Sequence, residues 1–264
     1  MASSVPMFAP LVPSDGTLSA RERGLTFPGV RSAYSLPVYE RIGQGIARLC
    51  SSADLVAIEI AKPRRMFGSA LSAAVSDSPE LCIRYSGRDS IALSAAIELE
   101  LRSCGFPSKL RCALIEHLAG LFDQFRESTP DSSLESFLLL RRPRSQSHWH
   151  IDHYRSEALQ FISTLAGYQH TPFLLRGDYD RAAFERYRQS ISKRELECQG
   201  LSLEDETLYP LKAGMNQLAH GREPRFVEGD LLFKGEELLH ATPASPVARL
   251  VFTMSAALPE GKKA

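Results

Sequence analysis

The chain has 264 residues, 44% of them hydrophobic, and its 31 Lys and Arg residues balance 31 Asp and Glu residues. This length and hydrophobic content predict one sizeable core in a single domain with elaborations. The balanced charge gives no overall field for nucleic acid or an anionic membrane, and no apolar run reaches membrane-spanning length. Neither nucleic acid nor a membrane is therefore expected as a partner.

The cysteines and the amino-terminal segment indicate the cellular compartment in which the protein is expected. The cysteines are odd in number, scattered and without a C-x-x-C pair: Cys50, Cys82, Cys104, Cys112 and Cys198. This pattern argues against a zinc ribbon or a disulfide framework and favours reduced thiols. The segment from Met1 to Gly16 lacks the basic stretch and long apolar run of a secretory signal. We therefore expect a cytoplasmic protein.

The first half of the chain is predicted to be mainly helical. Residues 1–34 are rich in Pro and Gly and predict a tail or a strap, and the domain proper is expected at 35–264. Its preface, residues 35–130, begins with weakly helical spacing from Val38 to Leu49. A strand from Leu55 to Ile60, stopped by Pro63, follows.

Two longer helices complete this preface. Residues 89–104 carry apolar side chains at helical spacing behind Asp89 as a candidate N-cap. Residues 108–126 repeat the pattern, with Ser108 as a candidate cap. We expect an antiparallel helical pair packed on something flat, and we interpret His117 on the second helix as structural.

After residue 130 the pattern changes to strands. The predicted strands are 137–140, 159–165, 172–175, 230–234, 237–240 and 248–255. The turn signals between the last three favour an antiparallel meander. Residues 179–198 are charged and helical in pattern, which predicts an insertion that covers an active-site mouth or, equally, a solvated surface helix.

A histidine-rich stretch follows the first of these strands. In extended backbone His148, His150 and Asp152 point one way, and Trp149, Ile151 and His153 point the other. Two imidazoles and one carboxylate occupy three positions of an octahedron in non-haem Fe(II) oxygenases and leave three open. His150 and Asp152 could supply two of them, with His240 as the best distant candidate for the third. A polar, solvated strand end is the alternative.

The last predicted strand carries an arginine at an interior position. Arg249, Val251, Thr253 and Ser255 share one face, and Leu250, Phe252 and Met254 share the other. A buried arginine is costly unless an anion pairs with it. The pattern therefore predicts a bound carboxylate. A small basic cluster just before the histidine-rich stretch, Arg141, Arg142 and Arg144, is interpreted as a solvated strand end or as a means of steering substrate.

These motifs resemble those of the Fe(II)/2-oxoglutarate-dependent oxygenase superfamily. The resemblance rests on the H-x-D of His150 and Asp152, on Gly229-Asp230 leading a strand, on His240 and on Arg249. The chain is more closely similar to an uncharacterised bacterial domain family with a W-H-x-D-H box. Its motifs here are Trp149–His153, Lys234-Gly235, His240-Ala-Thr-Pro243 and Arg249-Leu250. The resemblance covers residues 137–256.

The resemblance implies a fold, a set of ligands and a reaction. It implies an α+β fold with a double-stranded β-helix core, jelly-roll or cupin-like, over residues 135–258, and the amino-terminal helices are expected to pack on one sheet. His150, Asp152 and His240 would bind Fe(II), and Arg249 would bind the distal carboxylate of 2-oxoglutarate through its planar fork. Thr253 or Ser255 would add a hydroxyl contact.

The implied enzyme uses 2-oxoglutarate and O₂ to hydroxylate, demethylate or desaturate a small metabolite, an amino acid or a peptide. The resemblance assigns no role to Lys234. His148 shares the face of the metal ligands and could contact substrate or succinate, and His153 is expected to hold the loop by a hydrogen bond. Substrate identity and oligomeric state are not indicated.

Two other readings of the same residues remain open. The barrel and its metal could perform hydrolysis, or an oxidation without 2-oxoglutarate, with Arg249 binding a substrate anion. Alternatively, the domain could be a non-catalytic sensor of a metal or a small molecule.

Overall fold

The computed structural model describes one compact unit, which lies within Leu36–Ala264. The described residues are 36–62, 67–142, 158–167, 171–175, 178–180, 182, 227, 229–235, 238–240 and 247–257, with the backbone alone of 148–150 and 241–242. The predicted tail, Asp152, His153 and nearly all of the predicted insertion 179–198 lie outside these residues.

These residues form four helices and ten strands. The helices are α1 (Ile42–Ser51), α2 (Gly68–Asp77), α3 (Ser90–Ser103) and α4 (Ser108–Ser128). The strands are β1 (Val38–Tyr39), β2 (Ala57–Ile60), β3 (Leu81–Ser86), β4 (Ser133–Arg141), β5 (His148–His150), β6 (Ala158–Ala166), β7 (Phe173–Leu175), β8 (Asp230–Lys234), β9 (Leu238–Thr242) and β10 (Arg249–Ala257). No helix among the described residues is long and apolar enough to cross a membrane.

The helical pair is confirmed, and the details of its caps differ from the prediction. The carboxylate of Asp89 accepts a hydrogen bond from the backbone N–H of Ile91 at 2.9 Å, so Asp89 caps α3 as predicted. Gly105, at φ +78°, makes the turn to α4. Ser108 is the first helical residue of α4 and not its cap, because Pro107 occupies that position.

The beginning of the domain was only partly predicted. Helix α1 begins at Ile42 and not at Val38, because Val38 and Tyr39 pair with β2 as a short parallel strand. The sequence interpretation missed α2 and β3. The signal for β3 was present, since its first four residues alternate between buried and exposed positions.

The strands form two sheets. The larger has the order β1-β2-β8-β6-β10-β4-β3, and the smaller has the order β5-β9-β7. Every pairing except β1 with β2 is antiparallel. The fold is therefore mixed α+β with a large, mainly antiparallel sheet.

The predicted meander of the last three strands is wrong. Strand β6 lies between β8 and β10 in the larger sheet, and β9 belongs to the smaller sheet. The physical reason lies in β6, which is buried along its whole length and must pair its backbone groups on both edges. The strands β8, β9 and β10 therefore do not pair with one another.

Two apolar clusters arrange the molecule in layers. The larger cluster joins the buried faces of α1, α2, α3 and α4 to one face of the larger sheet, so the helices do pack on a flat surface. The smaller cluster joins Phe173 and Leu238 of the smaller sheet to Ile162, Phe233 and Val251 of the larger. The two sheets therefore face each other.

The predicted faces of the last strand are confirmed. Leu250, Phe252 and Met254 of β10 lie in the helix-side cluster, whereas Val251 lies in the inter-sheet cluster. Arg249 alternates with Leu250 and therefore shares the inter-sheet face.

Candidate metal and carboxylate site

His240 lies on the central strand of the smaller sheet and faces the larger one. Its side chain is 2% exposed, and its ring meets the ring of Phe233 on β8 edge-on, with 5.1 Å between centroids. Its backbone is directly opposite His150 of β5 on one side and Phe173 of β7 on the other. The tertiary structure thus brings the backbones of two distant histidines into one register.

The remaining parts of the predicted metal site lie beyond the described residues. Asp152 is outside them, and for His150 the structure gives the backbone position only. Within the described side chains, no group of three His, Cys, Asp or Glu residues is placed to hold a metal ion. The donor set that the sequence predicts consists of His240 plus these two residues.

Arg249 is a buried cation beside a hydroxyl group. Its side chain is 5% exposed, and its Nη2 donates a hydrogen bond of 2.8 Å to Oγ1 of Thr164 on β6. Burial lowers the pKa of Arg249 to about 10. The guanidinium therefore stays charged at neutral pH inside the protein.

A second arginine lies next to Arg249 in the sheet. Arg141 of β4 is directly opposite Arg249 of β10 in the antiparallel register, and it is half-buried. Side chains of directly opposite residues are neighbours on one face, and like charges in such a pair repel. The inter-sheet face therefore carries two positively charged side chains in register at this point.

Thr253 and Ser255 share the face of Arg249 and lie farther along the strand. Both are half-buried, with Thr253 opposite Ile162 and Ser255 opposite Gln160. A strand rises about 3.3 Å per residue, so Thr253 lies about 13 Å along β10 from Arg249. The hydroxyl that contacts the guanidinium belongs to Thr164 instead, which the sequence interpretation missed because it lies in the apolar run of β6.

The other motif residues have structural surroundings that the sequence left unassigned. Lys234 donates a hydrogen bond of 2.7 Å from Nζ to the carbonyl of Ser52, the C-cap of α1, where a cation complements the helix dipole. Asp230 is buried and pairs with Lys62 at 2.9 Å. Burial raises the pKa of Asp230, and the charge of Lys62 opposes this. The backbone of His148 lies opposite Thr242.

Comparisons with known proteins return structural neighbours only. Neither a protein-family model nor a curated protein matches this chain. It is similar in structure to a dioxygenase for auxin oxidation from rice, at 12% identity over 86% of this chain and 84% of that chain, with a TM-score of 0.44. It is also similar to a prolyl-4-hydroxylase from Pseudomonas putida, at 15% identity over 72% of this chain and 94% of that chain, with a TM-score of 0.34. A third neighbour is an oxidoreductase of the 2OG-Fe(II) oxygenase family from Burkholderia pseudomallei, at 8% identity over 86% of this chain and 97% of that chain, with a TM-score of 0.38.

Proposed function

We propose that the protein is a non-haem Fe(II)- and 2-oxoglutarate-dependent dioxygenase that oxidises a small metabolite, an amino acid or a peptide. The observation that carries this proposal is the register of the smaller sheet, in which His150 and His240 lie directly opposite each other. A buried arginine on the inter-sheet face of the larger sheet supplies the second element of such a site.

The strand order supports a double-stranded β-helix. From β4 to β10, the strands that the structure describes alternate in chain order between the larger and the smaller sheet. Alternation between two facing sheets is expected of a double-stranded β-helix, the jelly-roll or cupin arrangement. The alternation thus supports a barrel-like core over residues 135–258.

The proposed metal ligands are His150, Asp152 and His240. Directly opposite residues of an antiparallel pair share a face, and residues two apart on an extended strand also do. Two imidazoles and a carboxylate are a donor set that suits Fe(II), and they leave three positions open. When bound, Fe(II) would couple oxidative decarboxylation of 2-oxoglutarate by O₂ to oxidation of a substrate C–H bond.

Arg249 holds the distal carboxylate of 2-oxoglutarate in this proposal. A guanidinium engages a carboxylate bidentately, and the adjacent Arg141 adds positive charge in register. Thr253 and Ser255 share the face of Arg249, but they lie about 13 Å or more along β10 from it, too far to contact the same carboxylate. The apolar inter-sheet cluster, which includes Ile162 and Val251, excludes water from the reacting groups.

Measurements on the wild-type protein and on two variants test the proposal. Anaerobic addition of Fe(II) and 2-oxoglutarate should give a visible charge-transfer band, and succinate should accumulate slowly in air without substrate. Arg249→Ala should weaken 2-oxoglutarate binding while Fe(II) binding stays unchanged, and the exposed Arg102→Ala on α3 should change neither.

Other results would point elsewhere. Zinc retained through purification, with neither band nor succinate, would favour hydrolysis on the same scaffold, with Arg249 binding a substrate anion. Metal binding without any turnover would favour a sensor.

A further inference from the structure

The outer face of helix α3 carries a row of exposed hydrophobic side chains. Ile91 and Leu99 have exposed fractions of 79% and 64%, and Ala92 and Ala95 between them are also exposed. Ile91, Ala95 and Leu99 follow one another at four-residue spacing, so they lie on one side of the helix. Single exposed hydrophobic residues are ordinary on a protein surface, whereas a row of them on one helix face indicates a contact surface.

We propose that this outer face binds the same face of a second copy of the chain, so that two α3 helices pack antiparallel about a two-fold axis at Ala95. The inference does not depend on the proposed function. It assigns a partner to a surface on the helix side of the larger sheet, whereas His240 and Arg249 lie on the inter-sheet side.

The spacing of the hydrophobic residues is symmetric about Ala95. Ile91 precedes Ala95 by four positions, and Leu99 follows it by four. In an antiparallel pair with the axis at Ala95, Ile91 of each copy contacts Leu99 of the other, as a two-fold interface requires. The small side chain of Ala95 lies where the two helices cross, and it permits a short interaxial distance of about 8 Å.

The charges at the two ends of α3 are complementary in the same arrangement. The N-cap residue Asp89 and Arg102 of the last turn are both exposed, and they lie six and seven positions from Ala95 on opposite sides of it. A helix rises 1.5 Å per residue, so Arg102 of one copy is level with Asp89 of the other to within about 2 Å along the axis. A parallel pair would instead bring like charges together, which repel.

The position of α3 leaves its outer face accessible to a partner. The helix packs on α4 and on β3, and β3 is the edge strand of the larger sheet. A second copy could alternatively pair with the open edge of β3. However, β3 carries Arg84, whose side chain is 63% exposed, and a charged residue on an edge strand opposes pairing with another strand. The helix face is therefore the favoured contact.

The size of the contact predicts a weak dimer. Helix α3 has 14 residues, which makes it about 21 Å long, and a helix with its side chains is about 10 Å wide. Two such helices cover less than the roughly 800 Å² per partner that stable complexes bury. We therefore expect a concentration-dependent dimer with a Kd of about 10 to 100 µM.

Sedimentation equilibrium of the full chain, from about 5 to 300 µM, measures this dimer. Ile91→Glu and Leu99→Lys each place a charge against a hydrophobic partner, so each variant should have a Kd raised more than about tenfold. An equimolar mixture of the two variants should associate at least about fivefold more tightly than either variant alone. In the mixed pair the two substituted positions meet as an ion pair, and the other contact is a native one between Ile91 and Leu99.

Val38→Glu is the matched control for these variants. Val38 is 58% exposed and lies on β1, at the opposite edge of the larger sheet from β3. Its substitution should leave the Kd of the dimer unchanged. Thermal midpoints equal to that of the wild type would show that the variants of α3 are folded, and association of the mixture shows the same independently.

Three results would overturn the inference. A wild-type protein that stays monomeric over the whole concentration range has no such dimer, and the outer face of α3 would then belong to another partner. Dimerisation that persists in both Ile91→Glu and Leu99→Lys would place the contact elsewhere, with the edge of β3 as the next candidate. Two monomeric variants that fail to associate when mixed would exclude the antiparallel register.

Discussion

His150 of β5 lies directly opposite His240 of β9 in the smaller sheet, so two histidines far apart in the sequence occupy one cross-strand position. His240 is buried against Phe233. From this we predict that His240→Gln lowers the affinity for Fe(II) by more than about 100-fold, because even the loss of an outer partner of a metal ligand typically costs about 10- to 100-fold. Anaerobic calorimetric titration with Fe(II) measures this.

His117→Gln is the matched control for that variant. His117 lies on α4, on the opposite side of the larger sheet from His240, and its ring packs against Phe67 at 5.6 Å. We expect its Fe(II) affinity to equal that of the wild type. Unchanged affinity in His240→Gln would remove His240 from the metal site.

The stability of the protein should fall in mild acid because of His117. Burial, together with the charge of Lys62, lowers the pKa of His117 from 6.5 to about 4. The unfolded chain therefore takes up a proton on this residue as the pH falls below about 6.5, whereas the folded protein does so only near 4. The contribution of His117 to the free energy of unfolding is therefore fully present above about pH 6.5 and is lost progressively as the pH falls toward 4.

The variant that isolates this effect is His117→Phe, which retains a ring beside Phe67. We expect its thermal midpoint to fall less than that of the wild type between pH 7.5 and pH 4.5. Parallel pH curves for the two proteins would show that His117 does not contribute to the acid sensitivity.

Arg88 closes the carboxyl end of α4. Its guanidinium donates to the carbonyl oxygens of Arg126, Thr129 and Ser132 at 2.7 to 2.8 Å. The carbonyl groups of Arg126 and Thr129 each accept only one further, longer bond from a backbone N–H, at 3.2 and 3.3 Å, so Arg88 supplies the shorter bonds at this helix end. Arg88→Met should lower the free energy of unfolding by about 2 to 3 kcal/mol in urea denaturation.

The exposed Arg84 provides the comparison. It pairs with Glu135 at 2.7 Å, and its side chain is 63% exposed, so Arg84→Met should lower the free energy of unfolding much less than Arg88→Met does. Arg88→Lys should recover only part of the loss, because one ammonium group does not reach three carbonyl groups with the geometry of a guanidinium. Equal losses in the Arg84 and Arg88 variants would contradict the capping role.

Two helical glycines should respond oppositely to alanine. A Cβ at Gly120 of α4 would meet nothing within 4 Å, so Gly120→Ala should stabilise by about 0.5 to 1 kcal/mol through helix propensity. A Cβ at Gly45 of α1 would lie 2.8 Å from Cδ1 of Ile58 and 2.9 Å from Cδ1 of Ile60. Gly45→Ala should therefore destabilise by about 1 kcal/mol or more.

Thermal and urea unfolding of the two alanine variants measure how closely α1 packs on the larger sheet. The gain in helix propensity is the same in both, so the difference between them reports the packing term. Stabilisation by Gly45→Ala would mean that α1 lies farther from β2 than the structure shows.

Local patterns predicted most elements but not how they pair. Helical spacing behind Asp89 gave α3, and the alternation of β10 gave its two faces, because both depend on residues a few positions apart. The pairing of β8, β9 and β10 was mispredicted, since strand partners are chosen by burial of both faces and both edges across the whole sheet.

The candidate site divides in the same way. The H-x-D stretch, His240 and Arg249 carry distinctive chemistry that the sequence displays. Thr164 carries no such signal, because a threonine within an apolar strand has a visible role only once a bulge has brought it to Arg249.

The sequence alone determined that one strand face carries an arginine among interior positions and which residues have the chemistry of metal ligands, because side-chain type and strand periodicity are local properties. Only the tertiary structure decided that His240 is opposite His150, and that Arg249 is held by Thr164 and Gly167. Those relations come from register and close packing between strands distant in the chain, and both are set by burial of the whole sheet and not by any single segment.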